Sequence, residues 1–287
     1  MSEAGVIRAR ILGCGSSGGV PRADGDWGAC DPQNPKNYRL RCSLLVERAA
    51  SLEALESGRA TRLLIDTAPD LRRQLIGAGS PMLDGVAYTH THADQCHGID
   101  DVRAIVYRKR AKLDVYASAP TAATLRQRFD YIFETPPGSG YPPLMDMTIL
   151  EPGEAGRVSG EGGEADVCLF DVEHGGAPCS GVRVGPLAYT PDVNGLDPAA
   201  RRAVSGCSLW IVDALRDKPH PSHAHLAQSL DWIDEIKPEL AILTNLHVDM
   251  DYAALRQRLP AGVRPAYDGL SVTLDAQSGA VLHADPA

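Results

Sequence analysis

The chain has 287 residues, 44% of them hydrophobic, and a formal net charge of -9. That length suits one large domain or two small ones, and we interpret residues 1–287 as a single domain. The acidic balance argues against a long nucleic acid as a stable partner, because duplex-binding proteins usually carry a basic patch. The sequence shows neither a basic, apolar leader nor an apolar run of about 18 residues, which argues against secretion and membrane insertion. Seven cysteines without a C-x-x-C pair predict free thiols in a reducing cytoplasm.

The first predicted strand, residues 6–12, runs into a glycine- and serine-rich loop that contains Ser16. This loop lacks the Lys-Ser/Thr ending of a P-loop, so a tight turn beside an active site explains it as well as a phosphate cradle does. Residues 21–41 are rich in proline, glycine and asparagine and predict a long ordered loop. Its basic residues are either candidate phosphate contacts or solvated surface: Arg22, Lys36, Arg39 and Arg41.

Two more strands are predicted at residues 42–47 and 62–67, followed by a helix at 71–76. Asp66 ends the second of these strands. An aspartate in that position can orient a side chain of a neighbouring site, or it can cap the following helix. The local sequence alone does not separate the two interpretations.

The densest polar motif follows the apolar residues 85–88. It places three histidines and an aspartate within eight residues: His90, His92, Asp94 and His97. Side chains two residues apart on an extended segment point the same way, so His90 and His92 can bind one ion from one side. A helix that begins near Asp94 would offer ligands to a second ion. Imidazole and carboxylate are the usual ligands of zinc and related metals.

The rest of the chain mixes helices with strands. Helices are predicted at residues 99–106, 121–131, 225–236 and 251–259. Strands are predicted at residues 113–117, 166–173, 181–184, 186–190, 209–214, 241–244, 271–274 and 280–283, the last two as a hairpin. A loop rich in proline and glycine, residues 135–143, connects two halves of similar style. This pattern predicts a layered α/β fold with two sheets between helices.

Polar side chains recur where the predicted apolar strands end. His90 and His92 follow one strand, and His174, Asp192 and His247 each follow another. Strand ends along one edge of a sheet are where a rigid scaffold presents ligands. A single histidine in such a place is usually structural, but five candidate ligands together predict a metal site.

The order of these residues, with Asp66 upstream, resembles that of the metallo-β-lactamase-fold hydrolases. The resemblance covers nearly the whole chain. It implies an αββα four-layer sandwich with two metal ions at one edge of the sheets. It also implies that His90, His92 and His174 are ligands of the first ion, and that Asp66 orients a ligand histidine.

For the second ion, the resemblance implies Asp94 and His247 as ligands and Asp192 as the bridging carboxylate. The family usually has a histidine directly after the motif aspartate, where this chain has Gln95. A neutral amide oxygen is a weaker ligand than imidazole, so we include Gln95 among the metal ligands but expect weaker binding of the second ion. The neighbouring His97 could compensate directly or through water. The implied ions are zinc or manganese.

Within that superfamily, the first loop and the segment around His223 resemble the phosphoribosyl 1,2-cyclic phosphate phosphodiesterases. This likeness implies that His223 contacts the phosphate or protonates the leaving oxygen, and that Ser16 contributes to substrate binding. For His225, helix capping is the simpler interpretation. Those enzymes hold a structural zinc with closely spaced cysteines in the loop after the first strand. That zinc is not predicted here, because the loop has Cys30 alone and Cys14 and Cys42 are distant in sequence.

The sequence therefore predicts a metal-dependent phosphodiesterase that hydrolyses a small cyclic or nucleotide-like phosphodiester with a metal-activated hydroxide. Asp94 or Asp192 would orient the nucleophile, and His223 would donate a proton to the leaving oxygen. The alternatives are a tRNA-processing-type nuclease, a thioester or lactone hydrolase on the same metals, and a non-catalytic metal- or nucleotide-binding protein. We expect a small phosphate ester as the partner, with no membrane and no stable nucleic-acid partner. The oligomeric state is open, a homodimer included.

Overall fold

The computed structural model describes residues 5–286 of the chain. Its strands are β1 (Val6–Gly13), β2 (Ser43–Ala49), β3 (Thr61–Ile65), β4 (Gly85–Ala87), β5 (Leu113–Ala117), β6 (Met145–Ile149), β7 (Ala155–Gly160), β8 (Gly163–Val172), β9 (Cys179–Val184), β10 (Leu187–Thr190), β11 (Leu209–Asp213), β12 (Leu240–Thr244), β13 (Val263–Pro265), β14 (Ser271–Asp275) and β15 (Val281–Ala284). Its α-helices are α1 (Leu52–Glu56), α2 (Leu71–Gly77), α3 (Ala93–Cys96), α4 (Arg103–Lys109), α5 (Ala119–Arg128), α6 (Asp130–Phe133), α7 (Pro198–Val204), α8 (Leu226–Ile236) and α9 (Tyr252–Arg258). None of the helices within residues 5–286 has the length and apolar character needed to cross a bilayer.

The strands form two mixed sheets. The first has the order β15-β14-β1-β2-β3-β4-β5-β6, and the second has the order β13-β12-β11-β10-β9-β8-β7. Strands β3 to β6 are parallel to one another, and so are β10 to β13. In such parallel sets the carboxyl ends of neighbouring strands lie at the same edge of the sheet. The residues that follow β3 and β4 therefore lie at one edge of the first sheet, and those that follow β10, β11 and β12 lie at one edge of the second.

The two sheets pack face to face through one apolar layer, and helices cover both outer faces. Ile11 and Leu44 of the first sheet belong to the same buried cluster as Val182 and Ile211 of the second. Separate clusters join the first sheet to α2, α4 and α5, and the second sheet to α7, α8 and α9. All five residues of β11 are buried, which explains its continuous apolar run. The predicted αββα sandwich is confirmed.

Several local predictions were incomplete. The predicted helix at 99–106 begins with the 3-10 turn Ile99–Val102, and the helix predicted at 121–131 divides into α5 and α6 at Phe129, whose ψ is 44°. Strands β6 and β7 and helix α7 were not predicted. Only Met145 of β6 is fully buried, so that strand lacks the alternation that marks a half-buried strand.

The layer between the sheets sets the stability of the fold. Replacing the buried Ile211 with alanine should lower the free energy of unfolding by about 2–5 kcal/mol, because it leaves a cavity between the sheets. Urea denaturation followed by circular dichroism measures this loss. The control Leu282→Ala removes a side chain that is 46% exposed and should change stability by less than about 0.5 kcal/mol. Equal losses for both variants would contradict the assigned packing.

Candidate metal centre

Three histidines predicted to hold the first ion meet at the edge of the sheets. After β4 the chain stays extended, which brings His90 Nε2 to 3.0 Å from His92 Nδ1. His174 follows β8, and its Nε2 lies 3.2 Å from the same His92 nitrogen. Each ring therefore offers a nitrogen to a common point, as a cation-binding group requires.

The environment keeps two of these imidazoles neutral. Burial lowers the pKa of His90 well below its usual value, and the neighbouring histidines lower it further. Burial also lowers the pKa of His174 to about 4, with a smaller contribution from His223. A neutral ring keeps a nitrogen lone pair for a metal at physiological pH.

A second potential metal-binding group contains His174, Asp192 and His223. The Gln95 amide lies beside it, where Nε2 donates to Asp192 Oδ2 at 3.0 Å and lies 3.5 Å from Asp94 Oδ2. Burial raises the pKa of Asp192 well above its usual value, and repulsion from Asp94 adds to the shift. A buried carboxylate close to a second carboxylate is stabilised by a cation between the two.

The donor atoms of these residues fit divalent ions. Three imidazoles suit zinc, and carboxylate or amide oxygens suit manganese or magnesium. The Gln95 Oε1 atom is buried and has no hydrogen-bond partner among residues 5–286. It is therefore free to accept a hydrogen bond or to coordinate a cation.

His247, the other predicted ligand of the second ion, lies apart from both groups. Its Nε2 contacts the Arg22 guanidinium, and its Nδ1 lies 3.0 Å from Asp249 Oδ2. Its role as a ligand stays a prediction, because metal binding there would require the ring to leave Arg22.

His223 is held by a carboxylate that the sequence analysis missed. His223 Nδ1 donates to Asp213 Oδ2 at 2.9 Å, and Asn245 Nδ2 donates to Asp213 Oδ1 at 3.2 Å. Asp213 is fully buried at the end of β11, where burial raises its pKa to about 6 and His223 opposes the rise. Asn245 follows β12 with a left-handed φ of 58°, a conformation that asparagine tolerates better than most residues. The available sequence signal was a carboxylate at the end of an apolar strand.

Asp66 supports the cluster through an intermediate residue. Its carboxylate accepts hydrogen bonds from Thr89 N at 2.8 Å and Thr89 Oγ1 at 2.7 Å. Thr89 Oγ1 lies 3.0 Å from His90 Nδ1, so Asp66 acts on that ring through the threonine and not by direct contact. Burial raises the pKa of Asp66 to about 8, and its φ of 62° marks local backbone strain.

The metal-binding groups open into a cavity of about 530 Å³. Ser16 lines it, as the sequence predicted for a substrate-binding residue. Two arginines line the same cavity, Arg22 and Arg216, together with His220, whose pKa is lowered by burial. Arg216 and His220 were not predicted, because they precede the recognisable segment around His223 and only tertiary packing brings them to the cavity.

Only Arg22 of the four basic residues proposed in the long loop reaches the cavity. Lys36 lies over the Tyr252 ring, 4.8 Å from its centroid. Arg39 is buried, and its Nη2 donates to the Met250 carbonyl oxygen at 2.6 Å. Arg41 forms an ion pair with Asp70. These three residues therefore have structural contacts outside the cavity.

Two further histidines lie outside the lining of this cavity. His97 is exposed, and its ring packs against Phe129 with the centroids 5.8 Å apart. His225 precedes α8 as its N-cap residue, and its Nδ1 lies 3.3 Å from Gln228 Oε1. The helix-end interpretation of His225 agrees with this position.

The three-histidine group generates a direct prediction. His92→Ala should release about one divalent metal ion per chain, because it removes a central ligand of the first group. Elemental analysis after gel filtration measures the loss. His283→Ala, which removes an imidazole with a 66% exposed side chain, should leave the metal content unchanged. An unchanged metal content in the His92 variant would refute this assignment.

Comparison with known proteins places this geometry in a family. Residues 61–245, well over half of the chain, match the model of the beta-lactamase superfamily domain. A crystal structure described as a new diphosphatase from the PhnP family is 30% identical, with a TM-score of 0.81 over 94% of this chain and 97% of that chain. The metallo-β-lactamase fold protein YhfI from Bacillus subtilis is 15% identical, with a TM-score of 0.68 over 93% of this chain and 99% of that one, and shows the fold alone.

A curated relative from Porphyromonas gingivalis, named octanoyltransferase, is 31% identical over 275 residues. The match covers 94% of this chain but 52% of that protein, so the chain spans about half the length of this relative. The family model and the diphosphatase structure, together with the cluster of histidines and carboxylates, lead to one conclusion. The chain belongs to the beta-lactamase superfamily and is a metal-dependent hydrolase with the metallo-β-lactamase fold.

Proposed function

We propose that the protein hydrolyses small phosphodiesters with two divalent ions held by the histidine and carboxylate groups. The observation that carries this proposal is the composition of one cavity, in which metal-binding side chains and the guanidinium groups of Arg22 and Arg216 occur together. A phosphodiester is an anion whose reaction places more negative charge on its oxygens, so it benefits from metal ions and from fixed positive side chains.

The dimensions and charge of the molecule favour a small substrate. A cavity of about 530 Å³ is suited to a nucleotide-sized ligand. The chain carries a net charge of -9, and a polymeric nucleic acid would be repelled outside the cavity. These properties disfavour the tRNA-processing alternative.

The cavity residues have distinct proposed roles. Bound ions would polarise the phosphoryl group and lower the pKa of a coordinated water. Arg22 and Arg216 would neutralise the non-bridging oxygens, and the loop around Ser16 would hold the ester in place. Asp94 would accept a hydrogen bond from the attacking water and orient it towards phosphorus.

His223 is the proposed proton donor to the leaving oxygen. Its Nδ1 is tied to Asp213 Oδ2, which fixes the ring and leaves Nε2 for the substrate. The Asp213 carboxylate would also stabilise the protonated ring before the proton is transferred. After transfer, the leaving group departs as an alcohol and the imidazole is neutral.

A second candidate is hydrolysis of a diphosphate linkage. The relative that is 30% identical and nearly fully covered is described as a diphosphatase. The presence of two arginines, Arg22 and Arg216, in one cavity suits a substrate with more than one negative charge. Thioesters and lactones are uncharged at the reacting group and gain less from these side chains.

A substrate panel tests the proposal. Protein loaded with manganese or zinc should hydrolyse bis-p-nitrophenyl phosphate and a cyclic nucleotide faster than a thioester or a lactone, and a diphosphate diester tests the second candidate. The combined change Arg22→Gln and Arg216→Gln should lower kcat/KM by about 10²-fold, because both charges act on the phosphoryl oxygens. Fully metallated protein that hydrolyses none of the phosphodiesters would refute the proposal.

The role of His223 predicts a dependence on the leaving group. His223→Ala should slow an alkyl phosphodiester by about 10²–10⁴-fold, but a p-nitrophenyl ester much less, because nitrophenolate leaves without a proton. Steady-state kinetics on both esters measure the difference. His225→Ala is the matched control, since it removes a nearby imidazole outside the cavity. Equal losses on the two esters would argue against proton donation.

A further inference from the structure

The two cation positions differ in the atoms that surround them. At the first position, three imidazoles face one another. Around the second, Asp192 has the carboxylate of Asp94 and the amide of Gln95 beside it, and the rings of His174 and His223 lie next to it as well. The chemistry of the second position therefore depends on what the amide contributes.

Gln95 is fully buried against both carboxylates. Its Nε2 lies 3.0 Å from Asp192 Oδ2 and 3.5 Å from Asp94 Oδ2, while Oε1 has no partner among residues 5–286. The nitrogen and oxygen of a primary amide exchange places when the group turns by half a rotation about its terminal torsion. A cation between the carboxylates repels the amide N–H groups and attracts the carbonyl oxygen, so it favours the rotated amide.

The spacing is compatible with three oxygens around one ion. Neighbouring oxygens of an octahedral ion are about 3 Å apart when each lies about 2.1 Å from the metal. The separation between the amide and Asp192 is 3.0 Å. Gln95 can thus join Asp94 and Asp192 as a third oxygen ligand without a change of backbone.

The nearby imidazole nitrogens have other partners. His247 Nε2 contacts Arg22, and its Nδ1 lies beside Asp249. His223 approaches Asp192 through Nδ1 at 3.6 Å, but the same nitrogen lies 2.9 Å from Asp213. His174 Nε2 faces His92 Nδ1 of the first position at 3.2 Å, and its Nδ1 lies 2.6 Å from the Ser222 carbonyl oxygen. Because these imidazole nitrogens have other partners, the second position has an oxygen-rich environment.

We propose that the two positions hold unlike cations. The imidazole position takes zinc, and the position formed by Asp94, Gln95 and Asp192 takes a hard divalent ion, Mn²⁺ or Mg²⁺. Soft and borderline ions gain most from nitrogen ligands, so the preference for zinc over manganese is much weaker at the oxygen position. The inference rests on the proposed function only because both use the same metal ligands. It requires no assumption about the substrate.

Metal titration of the full chain tests the inference. Metal-free protein is titrated with mixtures of Zn²⁺ and Mn²⁺, with bound Mn²⁺ measured by electron paramagnetic resonance and bound zinc by elemental analysis. The preference for zinc over manganese should be at least 100-fold smaller at the second position than at the first. Equal preferences at the two positions would overturn the inference.

Two variants locate the effect. Gln95→His should raise the zinc preference of the second position at least tenfold, whereas Gln95→Glu, which keeps an oxygen, should leave that preference as weak as in the wild type. Gln277→His is the control, because it adds an imidazole at an exposed turn. An unchanged preference in Gln95→His would contradict the proposal, and if that variant fails to fold, the wild-type titration and Gln95→Glu still decide. Because no ester is hydrolysed in these measurements, a failure of the proposed function is recognised separately in the substrate panel.

Discussion

The organisation of the site depends on buried groups that are costly to charge in the absence of a cation. Asp192 is buried beside Asp94, and burial keeps His90 and His174 of the first group neutral. Like charges in a low-dielectric environment repel strongly, whereas a divalent ion turns the same arrangement into a stabilising one. We interpret the site as a scaffold in which folding places the ligands and metal binding compensates for their proximity.

The fold places those ligands through parallel strands. Registers such as Ile65 opposite Ala87 and Asp213 opposite Thr244 bring the carboxyl ends of neighbouring strands level with one another. Residues far apart in sequence then meet at one edge, and hydrogen bonds such as Asp66 to Thr89 fix their orientation. The side chains proposed to bind the anion, Arg22 and Arg216, come instead from two loops. The proposed metal ligands thus lie mostly at strand ends, and the proposed substrate contacts lie in connections.

The sequence predicted the parts of the site that follow directly from local pattern. The alternation of His90 and His92 after an apolar strand was sufficient to predict their convergence, and the ordered ligands identified the sandwich. Asp213 was missed, because an aspartate ending an apolar strand gives no local sign that it will meet a histidine ten residues further on. The sequence could not separate cavity-lining from structural basic residues in the long loop. Arg39, for example, contacts Met250, 211 positions away, and only the tertiary structure shows this contact.

We propose above all that an anion is held between bound cations and the Arg22–Arg216 side of the same cavity. Phosphorus nuclear magnetic resonance of inorganic phosphate with manganese-loaded protein tests this claim without turnover. We predict strong paramagnetic broadening of the phosphate signal by the wild-type protein, and its loss when both arginines are replaced with glutamine at unchanged manganese content. Broadening that persists equally in the double variant, or is absent from the fully loaded wild type, would contradict the account.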